Sequence, residues 1–181
     1  MKDLRLEAAE ALIFHKTTTH QIHINSFSKY FTMAESSTSF FTKLEARVSQ
    51  VDSLLCVGLD PHGAQILGDA YSSATSAQKC EAAFTFCKTI IDATLPYAAC
   101  YKPNAAFFEA LGVEDGNATL VRVLKEIPSE VPVLLDCKRG DIGSTAAAYA
   151  EASYDHCNAD AVTLSPLMGW DSVAPFVTGM F

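Results

Sequence analysis

The middle of the chain reads Pro132-Val-Leu-Leu-Asp-Cys-Lys-Arg-Gly-Asp141, an apolar run that ends in a group of charges. Short apolar runs bounded by turn residues are typical of strands that are buried in a parallel sheet. Asp136 and Lys138 stand two residues apart, so along a strand their side chains point to the same face. The stretch therefore predicts a buried strand over 132–135 that leads directly into paired charges.

Other apolar runs on either side end in the same way. We predict further strands at 54–59, 97–101 and 159–164. They are followed by the polar residues Asp60, Lys102 and Ser165. We predict helices at 39–50, 77–95, 105–111, 118–127, 144–156 and 171–177, with a loop over 63–76. Strands that alternate with helices indicate an α/β fold with a parallel sheet.

The polar residues at the strand ends predict where the chemistry lies. The carboxyl ends of the strands form the active-site face of a (β/α)8 barrel, and they form the ligand side of an open doubly wound sheet as well. Both topologies therefore bring Lys102, Asp136, Lys138 and Asp141 towards one pocket. Opposite charges favour each other's ionised forms, so this array can stay charged even when it is partly buried. A fixed electrostatic field for a reaction is one interpretation, and a solvated loop with ordinary ion pairs is the other.

Composition limits the function classes that remain. Among 181 residues, 13 Lys and Arg stand against 21 Asp and Glu, which gives a formal net charge of −8. This balance argues against binding to nucleic acid or to a membrane surface, because such proteins present basic patches. No apolar run is long enough to cross a bilayer. The six cysteines show neither C-x-x-C nor zinc-finger spacing, which indicates reduced thiols and a cytoplasmic protein.

The start of the chain differs from the rest. We predict that residues 1–38 are a disordered extension and that residues 39–181 form the functional domain. The extension lacks the continuous apolar segment of a secretory signal, although Leu4, Ala8, Ala11 and Leu12 fit one short amphipathic helix. His20-x-x-His23 lacks a third metal ligand, so we predict no metal site there.

Three motifs occur in order at the predicted strand ends: Leu55-Cys-Val-Gly-Leu-Asp-Pro-His62, Tyr101-Lys-Pro-Asn-Ala-Ala-Phe-Phe-Glu109 and Leu135-Asp-Cys-Lys-Arg-Gly-Asp-Ile142. Together they resemble the orotidine 5′-phosphate decarboxylase family, and the resemblance extends over residues 40–181. It implies a dimeric (β/α)8 TIM barrel, of which this chain holds about the first four β/α units. It also implies conversion of orotidine 5′-monophosphate (OMP) to uridine 5′-monophosphate (UMP) and carbon dioxide in de novo pyrimidine biosynthesis, without a metal or an organic cofactor.

The resemblance carries catalytic roles over to individual residues. It implies that Asp60 and Lys102 bind ribose hydroxyls and that Lys102 also joins the charged network. Asp136 would lie beside the leaving carboxylate, and Lys138 would deliver a proton to C6 of the pyrimidine. Decarboxylation leaves electron density on that carbon, and a nearby ammonium group can stabilise the density and then quench it.

The resemblance also implies contacts beyond one subunit. Asp141 and Thr145 would reach into the partner subunit's site, so each active site of a homodimer would be shared. Ser165 would contact the pyrimidine, although this branch of the family more often has Asn at that position. Some eukaryotic members are fused to orotate phosphoribosyltransferase, so such a fusion is a further expectation.

Several neighbouring residues have simpler interpretations. We expect His62 to pack or cap its loop, and Asn104 either to orient Lys102 or to cap the next helix. Packing roles are expected for Phe107, Phe108, Met168 and Trp170.

Two alternatives to the cofactor-free decarboxylase stay open. A metal-dependent sugar-phosphate decarboxylase or aldolase of the same barrel type shares the Asp-x-Lys-x-x-Asp spacing but needs Mg²⁺. A non-catalytic half barrel would only associate with a full-length partner. A complete barrel takes about 250 residues and typically binds phosphate in its last loops. Because this sequence holds only about four β/α units, we expect it to be a fragment that is inactive or aggregates alone.

Overall fold

The computed structural model describes residues 13–15 and 39–178 of the chain. The strands are β1 (Ile13–His15), β2 (Leu55–Leu59), β3 (Ala98–Pro103), β4 (Leu134–Arg139) and β5 (Ala161–Leu164). The α-helices are α1 (Phe40–Val51), α2 (Gly63–Leu67), α3 (Ser76–Thr94), α4 (Ala105–Glu109), α5 (Val113–Lys125), α6 (Gly143–Glu151) and α7 (Ala174–Val177). Short 3₁₀ turns occur at Gly68–Ser72, Pro166–Met168 and Trp170–Ser172, and a π turn at Ala152–His156.

Strands β2 to β5 lie side by side in the order of the chain. β2 pairs in parallel with β3, and β4 pairs in parallel with β5. Parallel bridges from Tyr101 to Val133 and from Asn104 to Asp136 join β3 to β4. A doubly wound sheet reverses its strand order at a switch point, whereas this order does not reverse. The described chain therefore has the winding of a β/α barrel and corresponds to about its first half.

Strand β1 comes from the predicted N-terminal extension and pairs antiparallel with β5. The other predictions for residues 1–38, including the helix around Ala8 and the histidines at 20 and 23, lie outside the described residues.

The two faces of the sheet have different roles, because side chains alternate along each strand. On one face Tyr101, Leu135 and Val162 belong to the main core, which also contains Ile91 of α3 and Val123 of α5. The opposite face has a small core of its own. There Cys100, Leu134 and Ala161 pack with Phe40, the first residue of α1. Helix α1 thus lies over the amino-terminal part of this opposite face, which we call the inner face. The polar residues lie at the carboxyl ends of the strands on the same face.

The predicted loop over 63–76 is wrong, because it contains α2 and the 3₁₀ turn Gly68–Ser72. Its Gly, Ser and Thr content resembles a loop, but Ile66 and Leu67 are half-buried. Gly63 is the first residue of this helix, and the Tyr71 ring leaves no room for a side chain there. A Cβ at Gly63 would come within 2.5 Å of a ring carbon.

The helix predicted over 118–127 begins earlier, at Val113. The sequence does not indicate this first turn, because Gly116 interrupts the helical pattern. Packing explains why a glycine stands there: a Cβ at Gly116 would lie 1.9 Å from the carbonyl oxygen of Phe108. The glycine therefore allows α4 and α5 to approach closely.

The remaining boundaries differ in smaller ways. Strand β4 continues to Arg139, beyond the predicted end at 135, so Asp136 and Lys138 are strand residues. The helix predicted over 144–156 is α6 followed by the π turn, and that over 171–177 is a 3₁₀ turn followed by α7. Within the described ranges, no helix combines the length and the hydropathy needed to cross a membrane.

Candidate active site

Asp136 is the centre of a charged cluster at the carboxyl end of the inner face. Its side chain is only 8% exposed. Its Oδ2 accepts a hydrogen bond from Lys102 Nζ at 3.1 Å, and its Oδ1 accepts one from Lys138 Nζ at 2.5 Å. Thr163 Oγ1 donates a third hydrogen bond to Oδ1 at 2.8 Å. One buried carboxylate thus holds two ammonium groups from neighbouring strands.

Strand pairing explains why these side chains meet. The parallel bridge from Asn104 to Asp136 aligns the end of β3 with β4, so Lys102 lies near the carboxylate. Lys138 has a φ of 45°, in the left-handed region that non-glycine residues rarely adopt. Its side chain is 68% exposed, even though its Nζ reaches back to Asp136. Most of the Lys138 side chain is therefore open to solvent at this end of the sheet.

The cluster changes the acidity of Asp136. Burial acts to raise the pKa of its carboxyl group, but the hydrogen bonds from Lys138, Thr163 and Lys102 outweigh burial and lower that pKa below its ordinary value. The carboxylate is consequently ionised at neutral pH. It supplies a fixed negative charge between the two lysines.

Asp141, the fourth residue of the predicted array, does not join this cluster. Its Oδ1 accepts a hydrogen bond from the backbone N–H of Ile142 at 2.7 Å. It forms no ion pair with any residue that the structure describes. Thr145 is exposed on α6. Both residues are thus separate from the contacts around Asp136.

The predicted ligand residues Asp60 and Ser165 directly follow β2 and β5. Asp60 is half-buried, and its carboxylate lies against Gly58, where a Cβ would come within 2.6 Å of Oδ2. Gly58 is the β2 residue paired with Lys102 of β3. At the other side, the N–H of Ser165 donates to the Arg139 carbonyl oxygen at 2.7 Å. Asp60 and Ser165 therefore lie on either side of the strands that carry Lys102, Asp136 and Lys138.

Neighbouring residues follow the simpler expectations only in part. Asn104 caps α4 by accepting the N–H of Ala106 at 3.1 Å, and the His62 ring packs on Phe107 with 4.2 Å between centroids. The packing role expected for Met168 and Trp170 is wrong, because they are 53% and 67% exposed. They lie in the short turns after β5, outside the core.

Thr163 is the one residue of the cluster that was not predicted from the sequence. Its hydroxyl accepts the backbone N–H groups of Cys137 at 3.1 Å and Lys138 at 3.0 Å, in addition to donating to Asp136. A signal existed in the sequence, since Thr163 is the polar residue between Val162 and Leu164 in the last apolar run. A threonine in a strand is common, however, and does not by itself indicate a site.

The described residues contain no group of three or more His, Cys, Asp or Glu side chains that could hold a metal ion. All six cysteines carry free thiols. The residues that cluster around Asp136 are a mixture of ammonium, carboxylate and hydroxyl groups. Such a set can bind polar hydroxyls, stabilise developing negative charge and transfer a proton.

Comparison with known proteins connects this geometry to a family. The family model described as orotidine 5′-phosphate decarboxylase / HUMPS family matches residues 53–180. The chain belongs to this family. The matched range includes every residue of the cluster around Asp136, and it confirms the resemblance that the three strand-end motifs indicate.

Individual members of the orotidine 5′-phosphate decarboxylase family are similar over about three quarters of the chain. The protein of that name from Herpetosiphon aurantiacus is 46% identical over 138 residues, which cover 76% of this chain and 49% of the relative. The solved structure of OMP decarboxylase from Leishmania donovani is 48% identical with a TM-score of 0.64, covering 77% of this chain and 49% of that one. The chain thus spans about half the length of these relatives.

A longer structure also matches. The solved structure of Leishmania donovani UMP synthase is 48% identical with a TM-score of 0.65, covering 77% of this chain and 28% of that one.

Proposed function

We propose that this chain supplies the catalytic half of an OMP decarboxylase, which converts OMP to UMP and carbon dioxide in de novo pyrimidine biosynthesis. The observation that carries the proposal is the buried Asp136 carboxylate, hydrogen-bonded to both Lys102 and Lys138. Family membership and the names of the relatives support the same activity.

The proposed chemistry uses the charges of the cluster directly. The bond between C6 and the carboxylate of OMP breaks, carbon dioxide leaves, and the bonding electrons remain at C6. The Lys138 ammonium stabilises this electron density and then transfers its proton to C6, which gives UMP. Asp136 keeps Lys138 in place and presents a negative charge to the substrate's carboxylate.

The substrate would be held by residues at the neighbouring strand ends. We assign Asp60 and Lys102 to the ribose hydroxyls, because a carboxylate accepts hydrogen bonds from hydroxyls and an ammonium donates to them. Ser165 is assigned to the pyrimidine. The position of these residues on either side of Asp136 supports the assignment.

We further propose a homodimer in which Asp141 and Thr145 enter the partner subunit's site. Their separation from the cluster within one chain supports this, because neither side chain is bonded to Lys102, Asp136 or Lys138. The sequence's cysteine pattern supports a cytoplasmic location. The similarity to part of Leishmania donovani UMP synthase supports a fusion to orotate phosphoribosyltransferase in the whole protein.

Shared sites predict complementation between two inactive variants. A barrel chimera provides the test: residues 53–180 of this chain replace the matching half of the Herpetosiphon aurantiacus relative. Chimeras with Lys138→Ala and with Asp141→Ala are each expected to be inactive. Isolated mixed dimers are expected to recover up to about half of normal activity, because one of their two sites regains both residues. Verified mixed dimers without any recovery would refute site sharing.

The unsubstituted chimera tests the proposed function itself. OMP decarboxylation is expected to proceed in excess chelator, because the proposed chemistry needs no metal. The metal-dependent sugar-phosphate alternative predicts that chelator abolishes turnover and that OMP is not the substrate. A correctly folded chimera without OMP turnover would refute the proposal and favour the non-catalytic half barrel.

A further inference from the structure

The pairing between β4 and β5 is interrupted where the candidate active site lies. Leu135 pairs with Val162, and the next pair is Arg139 with Leu164. The chain therefore advances four residues along β4 but only two along β5. Such an irregularity leaves backbone groups without ladder partners and re-aims the side chains within it. The residues of β4 inside it are Asp136, Cys137 and Lys138.

The Thr163 hydroxyl accepts hydrogen bonds from two backbone N–H groups of this interrupted region. Its Oγ1 accepts the N–H of Cys137 at 3.1 Å and the N–H of Lys138 at 3.0 Å. It donates its single proton to Asp136 Oδ1 at 2.8 Å. A hydroxyl has one donor and two acceptor positions, so its hydrogen-bonding capacity is fully used.

These contacts bear on the conformation of Lys138. Its φ of 45° is unfavourable for a residue with a Cβ, so the surroundings must stabilise it. The hydrogen bond from its own N–H to Thr163 holds the backbone there, and the same hydroxyl fixes the Asp136 oxygen that accepts Lys138 Nζ. Both ends of the Lys138–Asp136 pair thus depend on one side chain.

We propose that Thr163 is a positioning residue for proton transfer: its hydroxyl holds the backbone of Lys138 and the carboxylate of Asp136 in the arrangement that aims the ammonium group. This inference rests on the proposed decarboxylation, in which Lys138 is the proton donor. Thr163 acts through these two residues and takes no proton itself.

The test uses the barrel chimera with Thr163→Val, which keeps the β-branched shape and removes the hydroxyl. Thr163→Ser keeps the hydroxyl, and Thr119→Val removes another buried hydroxyl, in α5, as a matched control. Two quantities are measured by NMR: the pKa of the Asp136 carboxyl group and the hydrogen-exchange rate of the Lys138 amide.

Thr163→Val is expected to raise the pKa of Asp136, because one hydrogen bond that favours the carboxylate is lost. It is expected to speed exchange of the Lys138 amide by about tenfold, because that N–H loses its acceptor. Thr163→Ser should restore both values, and Thr119→Val should leave both unchanged.

Unchanged values in a folded Thr163→Val chimera would overturn the inference. If that variant does not fold, failure of Thr163→Ser to keep the wild-type values would overturn it instead. Neither measurement needs turnover. A lack of OMP decarboxylation in the chimera would therefore refute the proposed function separately, without altering these two readouts.

Discussion

Among single residues, one buried carboxylate is central to the proposed chemistry. Asp136 is held by two lysines and a threonine, so the energetic cost of burying its charge is offset by three hydrogen bonds. Removing the charge while keeping the shape leaves Lys102 and Lys138 close together without a counter-ion. This makes Asp136→Asn the sharpest single substitution for the electrostatics of the site.

The pKa of Asp136 predicts how that substitution depends on pH. The folded-state pKa is lowered from the ordinary value of 3.8, so the carboxylate contributes stability in full above about that pH. The contribution is lost as pH falls through the lower folded-state pKa. At neutral pH we expect Asp136→Asn to reduce the free energy of unfolding by about 1–3 kcal/mol. Urea unfolding from neutral to acidic pH measures the difference.

The difference between wild type and Asp136→Asn should shrink as pH falls below about 3.8, the ordinary pKa of the group. Asp155→Asn is a suitable control, because Asp155 is exposed and forms no ion pair among the described residues. A difference that stayed constant down to the acid limit would show that the charge of Asp136 does not contribute to stability.

Among the secondary-structure elements, the close contact between α4 and α5 predicts that a glycine-to-alanine substitution destabilises a helix instead of stabilising it. Alanine normally stabilises a helix relative to glycine. At Gly116, however, the added Cβ would lie 1.9 Å from the Phe108 carbonyl oxygen, which belongs to a backbone that cannot easily move. We expect Gly116→Ala to destabilise the chain by about 1–3 kcal/mol in urea unfolding.

Asn117→Ala is the matched control in the same helix. Asn117 is exposed and alanine has the higher helix propensity, so this substitution should be neutral or slightly stabilising. If Gly116→Ala stabilised the chain as much as Asn117→Ala, the tight packing of the two helices would be refuted.

The same elements show what the sequence could predict. Strands β2 and β3 were predictable because apolar runs end at Asp60-Pro61 and Lys102-Pro103. The first turn of α5 could not be predicted from the sequence. The benefit of Gly116 comes from its close contact with the Phe108 backbone, which helical periodicity does not reveal. In the site, Lys102, Asp136 and Lys138 were predictable from their places at strand ends. Thr163 was not, because its role arises from irregular pairing between two strands.

At the scale of the whole molecule, β2 is an open edge of the sheet. Among the described strands it pairs only with β3. Leu54 and Leu55 at this edge are 85% and 46% exposed. Unpaired strand edges with exposed apolar residues promote pairing with other chains. The isolated chain is therefore expected to self-associate as its concentration rises.

Leu55→Lys should reduce this self-association, because a charge on an edge strand disfavours further strand pairing. Sedimentation velocity measures the change. Leu167→Lys is the control, since Leu167 is 92% exposed but lies in a turn outside the sheet. An equal effect of both substitutions would mean that general surface hydrophobicity, and not the β2 edge, drives association.

The role of Lys138 as proton donor is tested by the rate of OMP decarboxylation by the barrel chimera with and without Lys138→Ala. We expect turnover by the unsubstituted chimera and a loss of at least about a hundredfold in kcat for Lys138→Ala, with circular dichroism unchanged. Near-normal turnover by a folded Lys138→Ala chimera would contradict this role, because the proton at C6 would then come from another group.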